Sequence, residues 1–337
     1  MKKSILLLLC LISALTPIQA KKKNHITPEQ KGLQTITQRT AQAYVEFLAS
    51  DALKGRESGT EHGHIAGEYL ISILKQMGAT PLFGDSYVQP FQVYSAERKH
   101  HEFTVDPTEI QKLRQRPHRT LYMRNILAKI EGKNPNEIVI VGAHYDHLGY
   151  DPTLQGDQIF NGADDNASGV QAVLQILRAF MATGQQPEKT TIFAFWDGEE
   201  RGLFGSKYFV QNFPDISKVH GYMNFDMIGR NNMEHRPQQL KYLYLAKDSM
   251  YATWLKEDIE KYSLGLDPDF HPSDDLSGGS DQVPFFNAGA SVVWYHTDGH
   301  ADYHKPSDHA ERINWEKMVD ITKAAFLCMW KMANNPF

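Results

Sequence analysis

Five segments of the chain offer histidine or carboxylate where an apolar run gives way to a loop. EIVIVGAHYDHLG carries His144 and Asp146, IFNGADDNASG carries Asp164 and Asp165, and FAFWDGEERGLFGS carries Glu199 and Glu200. MNFDMIGR carries Asp226, and HADYHKPSDH carries His304. Imidazole and carboxylate together suit zinc and tolerate cobalt or manganese. The charge balance fits a pair of ions: three carboxylates and one shared hydroxide cancel four positive charges, and two neutral imidazoles complete the shells. Two metals about 3.5–4 Å apart can share one water, lower its pKa and polarise a carbonyl. A further carboxylate outside the metal shell must then carry the water's proton to a leaving amine. Adjacent Glu199 and Glu200 can divide these jobs, because neighbouring loop residues can point to different targets.

Such residues need elements that bring them together. NILAKI, EIVIVG and TTIFAFW are short β-rich runs, and the last two are almost wholly apolar, as suits strands buried on both faces of a sheet. GYMNFDM, LKYLYL and SVVWYH read as further strands. Helices are expected over Thr37 to Leu48, His64 to Met77, Ala167 to Thr183, Ser206 to Asn212, Met250 to Tyr262 and Trp315 to Ala333. Strands alternating with helices predict a single-domain α/β three-layer sandwich, its mixed, mostly parallel sheet flanked by helices. In open α/β sheets, sites form outside the carboxyl ends of the strands, where the five segments stand. SDALKGRESGTEHG reads as a polar, glycine-containing loop. Arg98 to Thr120 is charged, His-rich and aperiodic, and reads as a surface excursion too short for an inserted domain. Phe193, Phe195 and Trp196 are expected in the core.

The 337 residues supply ample material for that core, with 41% hydrophobic content. The formal net charge of -5 gives no electrostatic reason to expect nucleic acid as a partner. Residues 1–20 read as a secretory signal, with Lys2 and Lys3 ahead of an apolar run from Ile5 to Leu15 and the small Ala20 at the cut. That run is short for a membrane span. Leu7 to Cys10 superficially fits a lipobox, but the apolar run continues past Cys10. Lys21, Lys22 and Lys23 are unfavourable just after a cut, which leaves its position open. Residues 21–36 are expected to be a polar leader and 37–337 one catalytic domain. The expectation is an exported protein, periplasmic or secreted, without stable membrane insertion. After cleavage only Cys328 remains, so neither an intramolecular disulfide nor a thiolate metal site can form.

From about Tyr44 to the C-terminus the sequence resembles the co-catalytic zinc aminopeptidase family that includes bacterial leucyl aminopeptidases. Transferrin-receptor-like proteins and glutaminyl cyclases are its relatives. GAHYDHLG, GADDNASG, EERGLFGS, NFDMIG and YHKPSD occur in the family's order, and five in order are specific where one alone is weak. The resemblance implies two zinc ions per chain, His144 and Asp226 on one, Glu200 and His304 on the other, and Asp165 bridging both. It implies Glu199 as general base, Tyr303 as donor to a developing oxyanion, and Asp146 and Asp308 as groups that orient His144 and His304. Peptides with a free N-terminus are the implied substrates.

Asp164 is expected to serve a turn or a helix cap, and His147, His296, His300 and His309 to be surface or packing residues, since the shells are already filled. Asn166–Ala167–Ser168 matches a glycosylation sequon and is expected to be coincidental. SDQVPF has Gln282 where many relatives have histidine, which bears on substrate positioning and leaves the metals untouched. The chain has no room before Asn125 for the family's frequent protease-associated insert. Alternatives within the family are a single-zinc glutaminyl cyclase, a receptor-type module without activity, and a carboxypeptidase for acidic C-terminal residues. All five ligands together with Glu199 argue against the inactive module, and the EERGLFGS segment argues against the cyclase.

Overall fold

The computed structural model describes residues 26–96, 102–231 and 235–336. The expected signal peptide, Cys10 and Lys21 to Lys23 lie outside these residues. The chain runs α1 (Pro28–Leu33), α2 (Gln38–Leu48), α3 (Glu61–Met77), β1 (Thr80–Pro81), β2 (Val88–Ala96), α4 (Pro107–Leu113), β3 (His118–Ile130), β4 (Asn134–His144) and α5 (Gly169–Thr183). It continues β5 (Lys189–Trp196), α6 (Phe204–Asn212), β6 (Val219–Phe225), β7 (Gln239–Leu245), α7 (Met250–Tyr262), β8 (Asp267–Ser273), α8 (Gln282–Asn287), β9 (Ser291–His296) and α9 (Trp315–Asn334).

One sheet is ordered β1-β3-β5-β4-β6-β9-β7-β8, with β2 also on β3. Its centre, β5-β4-β6-β9, is parallel throughout. β3 joins β5 antiparallel, and β7 joins β9 antiparallel. The apolar runs fall in the centre because helices cover both faces there. Val139, Val141, Phe193 and Phe195 face a core shared with α2, α3, α5, α7 and α9. Ile138, Ile140, Ile192, Ala194 and Trp196 face the other core, completed by Phe209 of α6 and Phe285 of α8. The three-layer α/β sandwich is therefore present, with Phe193, Phe195 and Trp196 fully buried.

α5 is buried along almost its whole length, between the sheet and α9. Phe180 near its end meets Phe193, Phe326 and Trp330 at ring-centroid distances of 5.8, 5.7 and 5.2 Å. Edge-on aromatic contacts of this kind fix the helix against both neighbours.

The structure differs from expectation in four places. The 21–36 leader contains α1, capped by Thr27 and packed on α5 and α9, with Gly32 and Ile36 buried. The 98–120 excursion contains α4 and the start of β3; residues 98–101 lie outside those described. β8 carries Pro268 and Pro272, which confine it to the sheet edge and hide it from a strand pattern. The polar loop after α2 buries Leu53, Arg56 and Ser58. Among the described residues no helix is long and apolar enough to cross a membrane.

Candidate metal centre

His144 is the last residue of β4, Glu199 and Glu200 follow β5, and Asp226 follows β6. His304 lies in the loop after β9, and Asp165 lies in the widened helical turn Ala163–Ser168 before α5. The site thus stands at the carboxyl ends of the four central parallel strands. The left-handed backbone at Met227 (φ 60°) and His304 (φ 54°) turns these loops sharply. For residues other than glycine that costs about 1–3 kcal/mol each, and such strain gathers at functional sites.

The distances divide the donors into two groups that meet at Asp165. Its Oδ1 lies 3.3 Å from His144 Nε2, and Asp226 Oδ1 lies 3.5 Å from that nitrogen. Its Oδ2 lies 3.2 Å from His304 Nε2, which is 3.1 Å from Glu200 Oε2. Glu199 Oε2 stands back, 4.0 Å from His144 Nε2. One donor atom each of His144, Asp165 and Glu200 also fall within 4.8 Å of one another, so the two groups are contiguous.

These residues fit zinc. His144 Nε2 is buried and makes no hydrogen bond, although it points between two carboxylate oxygens. Donor atoms about 2.0–2.1 Å from a tetrahedral zinc stand roughly 3.3 Å from each other, close to the separations seen here. The electrostatics ask for positive charge. Burial pulls the His304 imidazole down, but hydrogen bonds to Asp165 and Glu200 outweigh it and lift its pKa to about 10. Burial would raise Asp165, yet His144, His147 and His304 hold it well below the ordinary carboxylate range. Glu199 goes the other way: burial, with Asp226, Asp281 and Glu200 nearby, pushes it well up against the pull of His144.

Buried polar partners fix the donors. His144 Nδ1 meets the Asp146 carbonyl at 3.2 Å, with the Asp146 carboxylate at 3.7 Å. Asp146 in turn accepts from the Ser58 hydroxyl at 2.7 Å and from the Glu199 amide at 3.2 Å. Asp308 does not orient His304 as the resemblance implies. It lies beneath the 163–168 turn, and its Oδ2 accepts the amides of Asp164 and Asp165 at 3.0 and 3.1 Å, so it holds the residue where the two donor groups meet. Asp164 braces two loops, accepting from Gly229 N at 2.6 Å and pairing with His300 Nε2 at 3.2 Å. Gly162 (φ 58°) is required by close approach, since a Cβ there would lie 2.1 Å from the Asp165 carbonyl.

A model of Peptidase family M28 matches residues 125–329. The chain belongs to this family. Leupeptin-inactivating enzyme 1 of Streptomyces exfoliatus is 34% identical over 190 residues, covering 56% of this chain and 38% of that protein. An aminopeptidase of Pseudomonas aeruginosa is 38% identical over 110 residues, 32% of this chain and 18% of the relative. The chain thus spans well under half the length of these curated relatives. The fold is that of solved aminopeptidases. The Legionella pneumophila LapA aminopeptidase superposes with a TM-score of 0.67 at 19% identity, over 95% of this chain and 79% of that one. BSAP, a zinc aminopeptidase from Bacillus subtilis, gives 0.67 at 17% identity, over 90% and 97%.

Within this M28 frame the structure brings together the five candidate ligands, Glu199 and Tyr303. Tyr303 is half-exposed, and its ring stacks on His304 with centroids 3.8 Å apart. It lines a cavity of about 250 Å³ with Asp165, Glu199, Asp226, Trp294 and His304. The sequence reading missed His147 as a site residue. It is buried, and its Nδ1 lies 2.7 Å from Glu200 Oε1, so it fixes which Glu200 oxygen turns to His304. The His300 side chain is likewise buried against Asp164, while His309 pairs at the surface with Asp157. Asn166 is buried and donates to the Phe225 carbonyl at 2.8 Å, so the sequon cannot be glycosylated in the fold. Gln282 is buried and bonded to Asn224 and the Gly278 carbonyl.

The crowding of acids predicts that removing a bound cation loosens the fold. At zinc near a thousand times its Kd, linkage supplies about 4 kcal/mol, or roughly 5–10 °C of Tm for a chain of this size. Scanning calorimetry of chelator-stripped protein, with and without added zinc, should show that rise, and an unchanged Tm would contradict the site.

Proposed function

We propose that this chain is a zinc aminopeptidase that hydrolyses the first peptide bond of substrates with a free N-terminus. His144 and Asp226 would hold one zinc, Glu200 and His304 the other, and Asp165 would bridge them. The observation that carries this reading is the division of the Asp165 carboxylate, one oxygen toward His144 and the other toward His304. When bound, paired divalent cations acidify water and polarise the scissile carbonyl.

The chain's own residues do the rest. Glu199 is bound to no second carboxylate or imidazole at hydrogen-bond distance among the described residues, and its raised pKa suits a group that takes and returns a proton. Its carboxylate accepts the proton of the attacking water and delivers it to the leaving amine nitrogen. The Tyr303 hydroxyl donates to the oxyanion as the carbonyl becomes tetrahedral. The carboxylates around the cavity attract the substrate's α-ammonium group, which favours exopeptidase action. Export to the periplasm or medium follows from the charged, apolar leader at residues 1–20.

Three outcomes test the reading. Glu199→Gln should retain both metals while kcat falls at least about a hundredfold, the ordinary contribution of general acid–base catalysis. Glu200→Gln should instead lose affinity for one metal. Metal analysis and kinetics on both variants decide, and a metal lost from Glu199→Gln but not from Glu200→Gln reverses the roles. Free aminoacyl and peptide substrates should be cleaved far faster than N-acetylated ones in a matched panel. Internal cleavage of acetylated peptides at equal rate would exclude an aminopeptidase.

A further inference from the structure

The loop between α2 and α3 lies outside the residues matched by the family model and supplies none of the metal donors. It nevertheless reaches three of the segments that do. Arg56 is completely buried and has no ion-pair partner among the described residues. Its guanidinium donates to five backbone carbonyls instead: Tyr145 at 2.7 Å, Leu48 at 3.2 Å, Gly162 at 2.8 Å, Asp165 at 3.0 Å, and Asn161. A guanidinium has five N–H donors, so its capacity is filled. Four of the five acceptors lie in residues 145–165, the stretch that separates donors His144 and Asp165.

The neighbours of Arg56 reach the His144 segment again and the Glu200 segment. The Ser58 hydroxyl donates to Asp146, which backs His144 and accepts the Glu199 amide. Glu57 pairs with Arg201, next in sequence to Glu200. The backbone is engaged as well, since Gly149 N donates to the Gly55 carbonyl at 3.0 Å. Gly55 has φ 67°, and a Cβ there would lie 2.1 Å from the Gly149 carbonyl, so the loop presses directly on the site segment. Burying a cation is costly, and a well-packed apolar side chain often serves stability better. The arrangement makes physical sense as a device for geometry.

We infer that residues 51–60 are a positioning element of the metal centre. Arg56 holds the 145–165 segment so that the two Asp165 oxygens face separate ion positions, and Ser58 holds Asp146 behind His144. This rests on the metal-site reading above. Lysine keeps the charge of Arg56 but has three donors on one atom and cannot span five carbonyls.

The test uses the full chain, stripped of metal and titrated with Zn²⁺ against a chromophoric chelator, with the metal-free Tm measured in parallel. Arg56→Lys and Ser58→Ala should each weaken zinc binding by about tenfold or more, the usual effect of losing a group that supports a ligand. Lys75→Ala, an exposed change on α3 outside this loop, should bind zinc as the wild type does. Ser58→Ala should also lose zinc affinity while its metal-free Tm stays near that of the wild type. Variants that lower the metal-free Tm yet bind zinc with unchanged affinity would show a merely structural loop and overturn the inference. If Arg56→Lys does not fold, Ser58→Ala decides by the same criterion. A wild type that binds no zinc overturns the metal-site reading and this inference together. Zinc bound equally by wild type and variants overturns this inference alone.

Discussion

Negative charge gathered at the carboxyl end of a parallel sheet is the constraint to which the rest of this molecule answers. Asp165, Glu199, Glu200 and Asp226 converge there from three loops. Two carboxylates about 4 Å apart repel by roughly 4 kcal/mol at the effective dielectric of a protein surface. The environment separates these acids by role. Burial would raise Asp165, but the imidazoles around it hold it low, whereas burial and nearby carboxylates push Glu199 up against the pull of His144. Neighbours that push two acids in opposite directions suit the proposed division between a ligand and a proton carrier.

Such a concentration of like charge needs rigid support, and the support is polar and buried. Asp146 ties the end of β4 to the loop after β5. Asp308 ties the 163–168 turn to the loop after β9. Asp164 ties that same turn to the loop after β6 through Gly229. Each bond joins segments distant in sequence, so the donors are set by tertiary contacts more than by their own loops. The two apolar cores beneath hold the strand ends at fixed spacing, which makes these short polar bridges possible.

Much of this was legible in the sequence, for a physical reason. β4 and β5 are covered on both faces, so they read as unbroken apolar runs, and the first polar residue after each run marks the strand end where a site forms. What stayed hidden was polar residues whose partners lie far along the chain. Arg56, bound to carbonyls, and Ser58, bound to the Asp146 carboxylate, sit in a stretch that reads as a solvated loop, since such partners leave no periodic signal. His147 and His300 look like spare histidines until the fold sets them against Glu200 and Asp164. Asp308 was legible as a supporting group, but its target changed because the loop turns it toward amides of another segment.

The most direct measurement of the central claim is anomalous diffraction at the zinc edge from crystals of the zinc-loaded protein. Two anomalous peaks are expected about 3.5–4 Å apart, one beside His144 and Asp226, the other beside His304 and Glu200, with the Asp165 carboxylate between them. A single fully occupied peak, or two peaks that do not share Asp165, would contradict the claim.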